Sequence, residues 1–515
     1  MLLPALFVAS CSEGIESRMD PVSPDIEGEV KVSHEMIQLG SKLENPYTVK
    51  NFSSALASVY PTRGVTEVPA TDLYVRFLPK SEEDMEALDA LGLDLFDYPL
   101  DYEVKVYGDY YHDPSLGEEE ISWQYAVVPA GFEFPEGIEV EILDECFIPV
   151  EGAVTRGYED VDWELVEMAA YEETGNAGML VPETRGRKSR PAGRITIEDS
   201  SNGIVGVSGV KIMANCFVKY SYDYTDADGY YEVKSKFSSK PHYQIRFRNS
   251  KGFNIGFNKV LVLASTSNLG KGSPQGLSVT VTPKDDAMFR RCVVNNAGYD
   301  YYEKCESYGI PLPDDNLRLW ILAHTRPSSA VMMHHGAALS WIPEFSKYLD
   351  IYKMIVRVFA PDITIGASDK TKSYGRLYAA TIHEMAHASH FKKVGIDYWD
   401  RLVGYTLKNF FATGKCYGSA NGKNSGYCGV AEMWAFFIEN SFYKDRYGSS
   451  PGFGHDYWFA PQALEKLEES GISKSEMMSA MKGNVHEISN FSKSLQNIRP
   501  DKKSVIQKVF KEYFE

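Results

Sequence analysis

One short stretch with two histidines does most to limit what this chain can fold into. It reads His383-Glu384-Met385-Ala386-His387. Residues four apart on a helix lie on one face, one turn apart. Two imidazoles placed in this way can bind one zinc ion, and the glutamate beside the first histidine can act as a general base on zinc-bound water.

The residues around the two histidines favour a buried helix. Ser373 can cap a helix that begins near Tyr374, and Gly395 can end it after two lysines. The alternative is a helix with three histidines on one face and no metal. The intervening residues that suit a buried helix are Leu377, Ala380, Ile382, Met385 and Ala386.

A third metal ligand has to be found, because catalytic zinc sites usually have three protein ligands and an open position for water. His390 is the nearest candidate, but it lies seven residues after His383, about 10 Å along the helix axis. We therefore expect His390 to be a supporting histidine or a packed surface histidine. Asp397 is another candidate, after the expected end of the helix.

Glu432 is the best candidate for the third ligand. It lies in the apolar segment 429–440, whose mixed three- and four-residue spacing predicts a second buried helix. A carboxylate on so apolar a helix would be costly to bury without a partner, and zinc would be such a partner. The alternative is that Glu432 faces water. Glu439, two turns further on, is a weaker choice of ligand.

These features together resemble the gluzincin zinc metallopeptidases. Residues 285–515 also resemble zinc-binding metallopeptidase lipoproteins of Bacteroidetes-type bacteria. The resemblance implies that His383, His387 and Glu432 bind Zn²⁺. It implies that Glu384 is the catalytic base in the hydrolysis of peptide bonds.

Two features depart from the gluzincin pattern. The interval from His387 to Glu432 is 45 residues, longer than in the thermolysin-like members. Phe436 also stands where some members carry an acidic residue, four positions after the third ligand. The subfamily and the substrate therefore stay open.

A hydrogen-bond donor should stabilise the tetrahedral oxyanion of such a reaction. His455 and Tyr457 follow the predicted Glu432 helix and could supply it. Tyr374 and Tyr378 are alternatives at the start of the histidine helix.

Three more histidines lie upstream, His324, His334 and His335, in a stretch whose alternation suggests a strand or rim loop. Zinc peptidases of the resembled type have an edge strand beside the metal that aligns the substrate by strand addition. These histidines could lie near that cleft, but we favour surface or packing roles for them.

The N-terminus resembles a bacterial lipoprotein signal. The apolar run 1–11 ends in the lipobox Val8-Ala9-Ser10-Cys11. Cleavage before Cys11 and its lipidation would anchor an exported protein to a membrane, either in the periplasm or at the cell surface. The run is too short to span a bilayer. An ordinary signal end or a chance apolar start are the alternatives, since no lysine or arginine precedes the run.

Charge and cysteine content limit the partners. The net charge of −18 argues against nucleic acid and anionic membrane surfaces as partners, which leaves a peptide or protein substrate. After Cys11, six cysteines remain, an even number that permits disulfides in an exported protein. Cys416 and Cys428 bracket the loop before the Glu432 helix, and Cys292 and Cys305 are another plausible pair.

The whole chain is expected to be a multidomain α+β protein with a helix-rich, zincin-like C-terminal domain. The middle region resembles the carboxypeptidase regulatory-like, transthyretin-like β-sandwich, with a structural turn at 226–229. The alternative to a peptidase is an inactive surface binding or adhesion lipoprotein with a peptidase-like fold. The predicted regions are a signal (1–11), a tether and weakly structured lead-in (12–65), an α+β domain with a linker (66–190), the β-sandwich (191–284) and the gluzincin-like domain (285–515).

Overall fold

The structure is a computed structural model and describes residues 36–117, 120–150, 158–181, 190–256, 264–322, 331–332, 363–366, 373–413 and 415–515. It is a mixed α+β protein, as the sequence predicts: N-terminal strands and helices, then β-sheets, then a helix-rich region. Among these residues no helix has the length and apolar character needed to cross a membrane. The lipobox, most of the basic linker and the three upstream histidines (His324, His334 and His335) lie outside the described residues.

The N-terminal region combines two small sheets with three helices. Strand β2 lies between β4 and β5 with antiparallel pairing, and β1 pairs with β3. A 3-10 helix, Ala177–Met179, ends the region. The elements are β1 (Gln38–Lys42), α1 (Val49–Val59), β2 (Asp72–Leu78), α2 (Glu82–Ala90), β3 (Tyr102–Val106), β4 (Gln124–Pro129), β5 (Glu139–Cys146) and α3 (Trp163–Glu173).

Residues 36–65 correct one expectation, because they are not a weakly structured lead-in. They contain β1 and α1, and the Thr48 hydroxyl caps α1 by accepting the N–H of Asn51. Phe52, Ala55 and Leu56 are buried on one face of α1. Their three- and four-residue spacing is that of an amphipathic helix, and this face packs against α3.

Two sheets follow. The smaller one has β6 paired with β7, β10 and β14. The larger one has the order β16-β17-β15-β12-β11-β8-β9, with β13 also paired to β11. The strands are β6 (Ala192–Asp199), β7 (Gly203–Gly206), β8 (Val210–Cys216), β9 (Lys219–Tyr224), β10 (Tyr230–Glu232), β11 (His242–Asn249), β12 (Asn254–Gly256), β13 (Thr266–Lys271), β14 (Val279–Val281), β15 (Arg318–Leu322), β16 (Val331–Met332) and β17 (Ile363–Gly366).

The larger sheet passes through the predicted boundary at residue 284. Strand β12 lies before this boundary and pairs in parallel with β15, which lies after it. One hydrophobic core also extends from Ile195 in β6 to Phe510 near the C-terminus. The two parts therefore share one sheet and one core. Their division into a β-sandwich and a separate C-terminal domain stays a prediction.

Strand β11 shows how the larger sheet separates two environments. Tyr243, Ile245 and Phe247 point into the main hydrophobic core. Gln244 and Arg246 alternate with them, so they face the N-terminal region. A sheet with one apolar and one charged face can cover a core and still bind a charged neighbour.

The C-terminal region supplies the helices that carry the candidate site. The predicted boundaries of the histidine helix are confirmed, because it begins at Tyr374 after Ser373 and ends before Gly395. The serine hydroxyl itself does not make a capping hydrogen bond. The helices are α4 (Asp286–Tyr308), α5 (Tyr374–Val394), α6 (Ile396–Thr413), α7 (Ser425–Tyr447), α8 (Gln462–Glu469), α9 (Lys474–Ala480), α10 (Ile488–Ile498) and α11 (Lys503–Phe514), with a 3-10 turn at Pro500–Lys502.

Arg446, near the end of α7, joins these helices to the smaller sheet. Its Nη2 donates to Asp199 Oδ2 in β6 at 3.1 Å and to the Tyr374 hydroxyl at the start of α5 at 3.1 Å. The guanidinium also lies over the rings of Tyr378 and Tyr447, at 5.0 and 5.6 Å from their centroids. This contact holds one end of α5 and one end of α7 against β6.

Candidate metal centre

Two packed helices bring the predicted ligands together. Helix α5 carries His383 and His387 one turn apart, and α7 carries Glu432. The two helices lie against each other, and the three side chains are between 0 and 1% exposed. Packing of the two helices therefore brings together ligands that are separated by a long interval of sequence.

The donor atoms of these three residues converge on one point. His383 Nε2 lies 3.4 Å from one Glu432 carboxylate oxygen, and His387 Nε2 lies 3.5 Å from the other. All three ligand atoms lie within 4.8 Å of one another. Bonds of about 2.0–2.1 Å to a tetrahedral ion would place donor atoms about 3.3–3.4 Å apart.

Among the described residues, these donor atoms have no hydrogen-bond partner. Both Glu432 oxygens and the Nε2 atoms of His383 and His387 are buried without a hydrogen bond. Buried polar atoms are normally paired, because an unpaired one costs about 1–3 kcal/mol. The cluster could hold a metal ion, which would satisfy all of these atoms at once.

The charges of the cluster are arranged as a metal site requires. Burial raises the pKa of Glu432, but the nearby imidazoles of His387 and His383 outweigh it and lower the pKa to about 2. Burial lowers the pKa of His383, but the carboxylates of Glu432 and Glu439 outweigh it and raise the pKa to about 10. Burial lowers the pKa of His387, which favours the neutral ligand form. Metal binding to the metal-free protein would therefore release a proton from His383.

Glu439 has a role that the sequence reasoning missed. It is not among the three clustered ligands; its Oε2 instead accepts a hydrogen bond of 2.9 Å from His383 Nδ1. This contact leaves Nε2 of His383 facing the cluster and fixes the orientation of the ring. The available signal was its position seven residues after Glu432, on the same buried face of α7.

Glu384 is fully buried beside the cluster. Neither of its carboxylate oxygens has a hydrogen-bond partner within the described ranges. Burial raises its pKa to about 8, with the charge of His383 opposing this shift and the carboxylates of Glu432 and Glu439 adding to it. A buried carboxyl group with a pKa near neutrality is suited to accept and return a proton.

The other candidates for the third ligand lie elsewhere. Asp397 is exposed in the first turn of α6. His390 is fully buried, which corrects the expectation of a surface histidine, and it packs against the rings of Tyr398 and Trp399. Burial lowers the pKa of His390 to about 3, so its ring is neutral.

The predicted oxyanion donors follow α7 but differ in their surroundings. Tyr457 packs on Phe436, and the Phe436 ring contacts the ring of His383, with centroid distances of 5.8 and 4.4 Å. His455 is half-buried, and its Nε2 lies 2.9 Å from Glu465. Tyr457 therefore lies closer to the cluster by direct packing.

The two alternative tyrosines have other partners. Tyr374 accepts hydrogen bonds from Arg446 and Asn296. The Tyr378 hydroxyl donates to Asp300 of α4. Both hydroxyls thus serve the joint between helices and sheet.

Neither predicted disulfide is present, and the six described cysteines are buried thiols. Cys292 and Cys305 lie 13 residues apart on α4, about 20 Å along its axis, too far for a bridge. Burial raises the pKa of Cys428 well above its usual value, and the charges of Glu432 and Cys416 add to this shift. The thiolate needed to form a disulfide with Cys416 is therefore disfavoured.

Comparison with known proteins adds no relative to this picture. No protein-family model matches the chain, and a search of curated proteins finds no match. The candidate centre is therefore defined by its own residues.

Proposed function

We propose that this chain is a zinc-dependent peptidase of the gluzincin type. The observation that supports it most is the convergence of His383, His387 and Glu432, whose buried donor atoms have no hydrogen-bond partner in the part of the chain that the structure describes. Two imidazoles and one carboxylate form a ligand set of catalytic zinc sites, which keep a fourth position for water. The spacing of the donor atoms fits an ion of this size.

The chemistry follows from the residues around the cluster. Bound zinc would lower the pKa of its water and polarise the scissile carbonyl. Glu384 would accept the proton of the attacking water and then pass it to the leaving amine. Glu439 would hold the His383 ring in place through its Nδ1.

A position for the substrate is suggested by the larger sheet. Strand β16 is the outermost strand in its described order, and both β16 and β17 lie against α5. A peptide could add to this edge as a further strand, with its backbone aligned beside the histidine helix. Tyr457 or His455 would then be the candidate donors to the oxyanion.

We also propose that the protein is exported and anchored by a lipid on Cys11. This part rests on the lipobox alone. Metabolic labelling with a radioactive fatty acid should mark the wild type, and Cys11→Ala should remove the label. Label retained in the variant would exclude this anchor.

The zinc proposal is tested by metal analysis of the purified protein. We expect about one equivalent of zinc in the wild type and little in His383→Ala or His387→Ala, because each loses an imidazole ligand. A surface variant, His455→Ala, should keep its zinc. Less than about half an equivalent in the wild type, with no loss in His383→Ala, would exclude the site.

The peptidase proposal is tested separately with Glu384→Gln. This change keeps the side-chain shape but removes the base, so we expect zinc content to stay and turnover of a fluorogenic peptide library to fall about 10²–10⁴-fold. Glu469→Gln is a matched control on an exposed glutamate. Unchanged turnover in Glu384→Gln would disprove the mechanism. A zinc-loaded wild type without any turnover would favour the alternative, an inactive binding lipoprotein.

A further inference from the structure

A cavity with a mixed charged and apolar lining lies between the N-terminal region and the larger sheet, on the face of the sheet opposite to the main core. Its volume is about 80 Å³. Its walls come from the loop after α2, from β8 and from β11, and they carry both acidic and basic side chains. Those that matter here are Asp94, Asp97, Lys211, Arg246 and Arg248.

Most of the charges around this cavity are paired across the interface. Arg248 binds Asp89 with both of its terminal nitrogens, one of them at 2.8 Å, and Lys211 donates to Asp94. Asp109 accepts from Arg291 at 2.8 Å. The opposite charges of these pairs cancel. Two further charged side chains line the cavity, one cation and one anion, so the net charge of its walls is close to zero.

The remaining cation is Arg246. Its side chain is only 13% exposed and forms a long ion pair of 3.6 Å with Asp94, whose carboxylate already binds Lys211. Among the described residues its guanidinium makes no hydrogen bond, although it carries five N–H donors. Its Cζ lies over the Phe96 ring, 4.3 Å from the ring centroid. Arginine can bind a carboxylate through two parallel hydrogen bonds.

The remaining anion is Asp97. One backbone N–H, from Tyr111, donates to its Oδ2 at 2.7 Å. Within the described residues no ion pair joins Asp97 to Arg246, yet the charge of Arg246 acts on the pKa of Asp97. The two groups therefore face one cavity with a gap between them.

We propose that this cavity binds a small zwitterionic α-amino acid. The carboxylate of the ligand would bind Arg246, and its ammonium group would bind Asp97. At about 10–15 Å³ for each water-sized position, the cavity has room for about five to eight non-hydrogen atoms. This is the size of glycine, alanine or serine, and ligands with large side chains would not fit.

The site is separate from the metal centre, and the proposal does not depend on peptidase activity. Arg246 and Asp97 make no contact with α5 or α7 in any interaction described here. If the chain does release amino acids from peptides, the same cavity would sense its products. That consequence is not needed for the binding itself.

The test is calorimetric titration of the full-length protein with L-alanine. We expect saturable binding with a Kd of about 1 mM or lower, within reach of so small a ligand. Acetate and methylammonium each carry only one of the two charges and should bind at least tenfold more weakly. The titration is repeated on His383→Ala, in which binding should persist because the metal centre is not involved.

Three variants assign the two charged groups. Arg246→Gln and Asp97→Asn should each weaken alanine binding at least tenfold, because each loses a charge-assisted hydrogen bond. Arg246→Lys keeps the charge but not the fork and should weaken it less. Arg194→Gln is the matched control, since Arg194 also lies over an aromatic ring, Tyr230, but on the surface.

Several results would overturn the proposal. Absence of saturable heat at about 20 mM alanine would mean that the cavity holds water only. Binding lost in His383→Ala would place the ligand at the metal centre, and acetate binding as tightly as alanine would remove the role of Asp97. If Arg246→Gln fails to fold by circular dichroism, Arg246→Lys and Asp97→Asn decide.

Discussion

The interface between the N-terminal region and the larger sheet, and the metal centre, both bury charged side chains but treat them in opposite ways. At the interface most charges have a direct partner, as in Lys219, which donates to both oxygens of Glu167 at 2.9 and 3.1 Å. At the candidate metal centre the oxygens of Glu432 and Glu384 have no hydrogen bond to any residue that the structure describes. Five ion pairs cross this interface with the same polarity. In each of them the acid belongs to the N-terminal region and the base belongs to the larger sheet or to α4. The pairs are Glu86–Arg318, Asp89–Arg248, Asp94–Lys211, Asp109–Arg291 and Glu167–Lys219.

This difference shows that burial of a charge does not by itself mark a functional site. Burial with a partner is a structural solution, in which the pair offsets part of its desolvation cost. Where several converging groups are buried without a partner, each keeps a desolvation cost. A bound ligand would relieve this cost. We therefore expect substitutions at the two regions to have different effects.

The largest effect should come from Lys219→Met. The variant leaves the Glu167 carboxylate buried with one tyrosine donor, Tyr47, as a remaining described partner. Breaking a buried pair in this way costs about 3–5 kcal/mol, to be measured as the free energy of unfolding in urea. Lys466→Met, in an exposed pair with Glu469, should cost far less. Equal effects in both variants would show that the interface pairs are not structural.

A pH effect of similar size should come from His242, which lies in the same interface between Tyr98 and Asn268. Burial lowers its pKa from 6.5 to about 4. The folded protein therefore keeps this ring neutral, so its contribution is fully present above pH 6.5 and is lost as the pH falls through 4. The loss should be on the order of 3 kcal/mol below pH 4.

The measurement compares urea unfolding of the wild type and of His242→Gln between pH 7.5 and pH 4. Glutamine cannot be protonated, so the stability of the variant should fall less steeply across this window. Parallel pH dependence in both proteins would contradict the assignment to His242.

A smaller effect is expected at the metal centre from Glu439→Gln. The amide can still accept from His383 but has lost its charge, and changes to such supporting groups typically reduce metal affinity about 10–100-fold. Zinc affinity is measured by competition with a chromogenic chelator. Asp445→Asn on the same helix, where the carboxylate binds Lys304 and Tyr308, is the control. Equal affinity in wild type and Glu439→Gln would show that the ring is held by packing alone.

The smallest effect should come from Glu86→Gln. Glu86 is 48% exposed in its pair with Arg318 at 2.6 Å, so solvent screens the attraction. We expect a cost of about 1 kcal/mol or less, which decreases further at high salt. A cost as large as that of Lys219→Met would mean that exposure does not separate the two kinds of pair.

The metal centre was largely predictable from sequence because its signals are local. The histidine spacing, the residues that flank α5 and the carboxylate of Glu432 on an apolar stretch are all signals within one or two helical turns. Several strands of the sheets followed from alternation in the same way, as did the turn at Asp226, whose Oδ1 accepts the N–H groups of Asp228 and Tyr230. Local chemistry sufficed for these features.

The interface and the cavity within it could not be predicted, because their partners are distant in sequence. Asp94 and Lys211 are 117 residues apart, and nothing near either residue indicates the other. The same limit explains the failure at Cys292 and Cys305, where an even cysteine count suggested pairs that one straight helix keeps apart. Glu439 was predicted in part. The sequence predicts the helix that carries it, but not its hydrogen bond with His383 on α5.

The continuous sheet has a practical consequence for anyone who wishes to study the metal-binding part alone. A fragment that begins at residue 285 would lack β12, so one edge of β15 would lose its neighbour and be open to pairing between molecules. It would also lack Asp199, and Arg446 would lose its ion-pair partner at the base of α5 and α7. The helices of the candidate metal centre therefore depend on residues before 285, and the proposed metal binding should be tested in the intact chain.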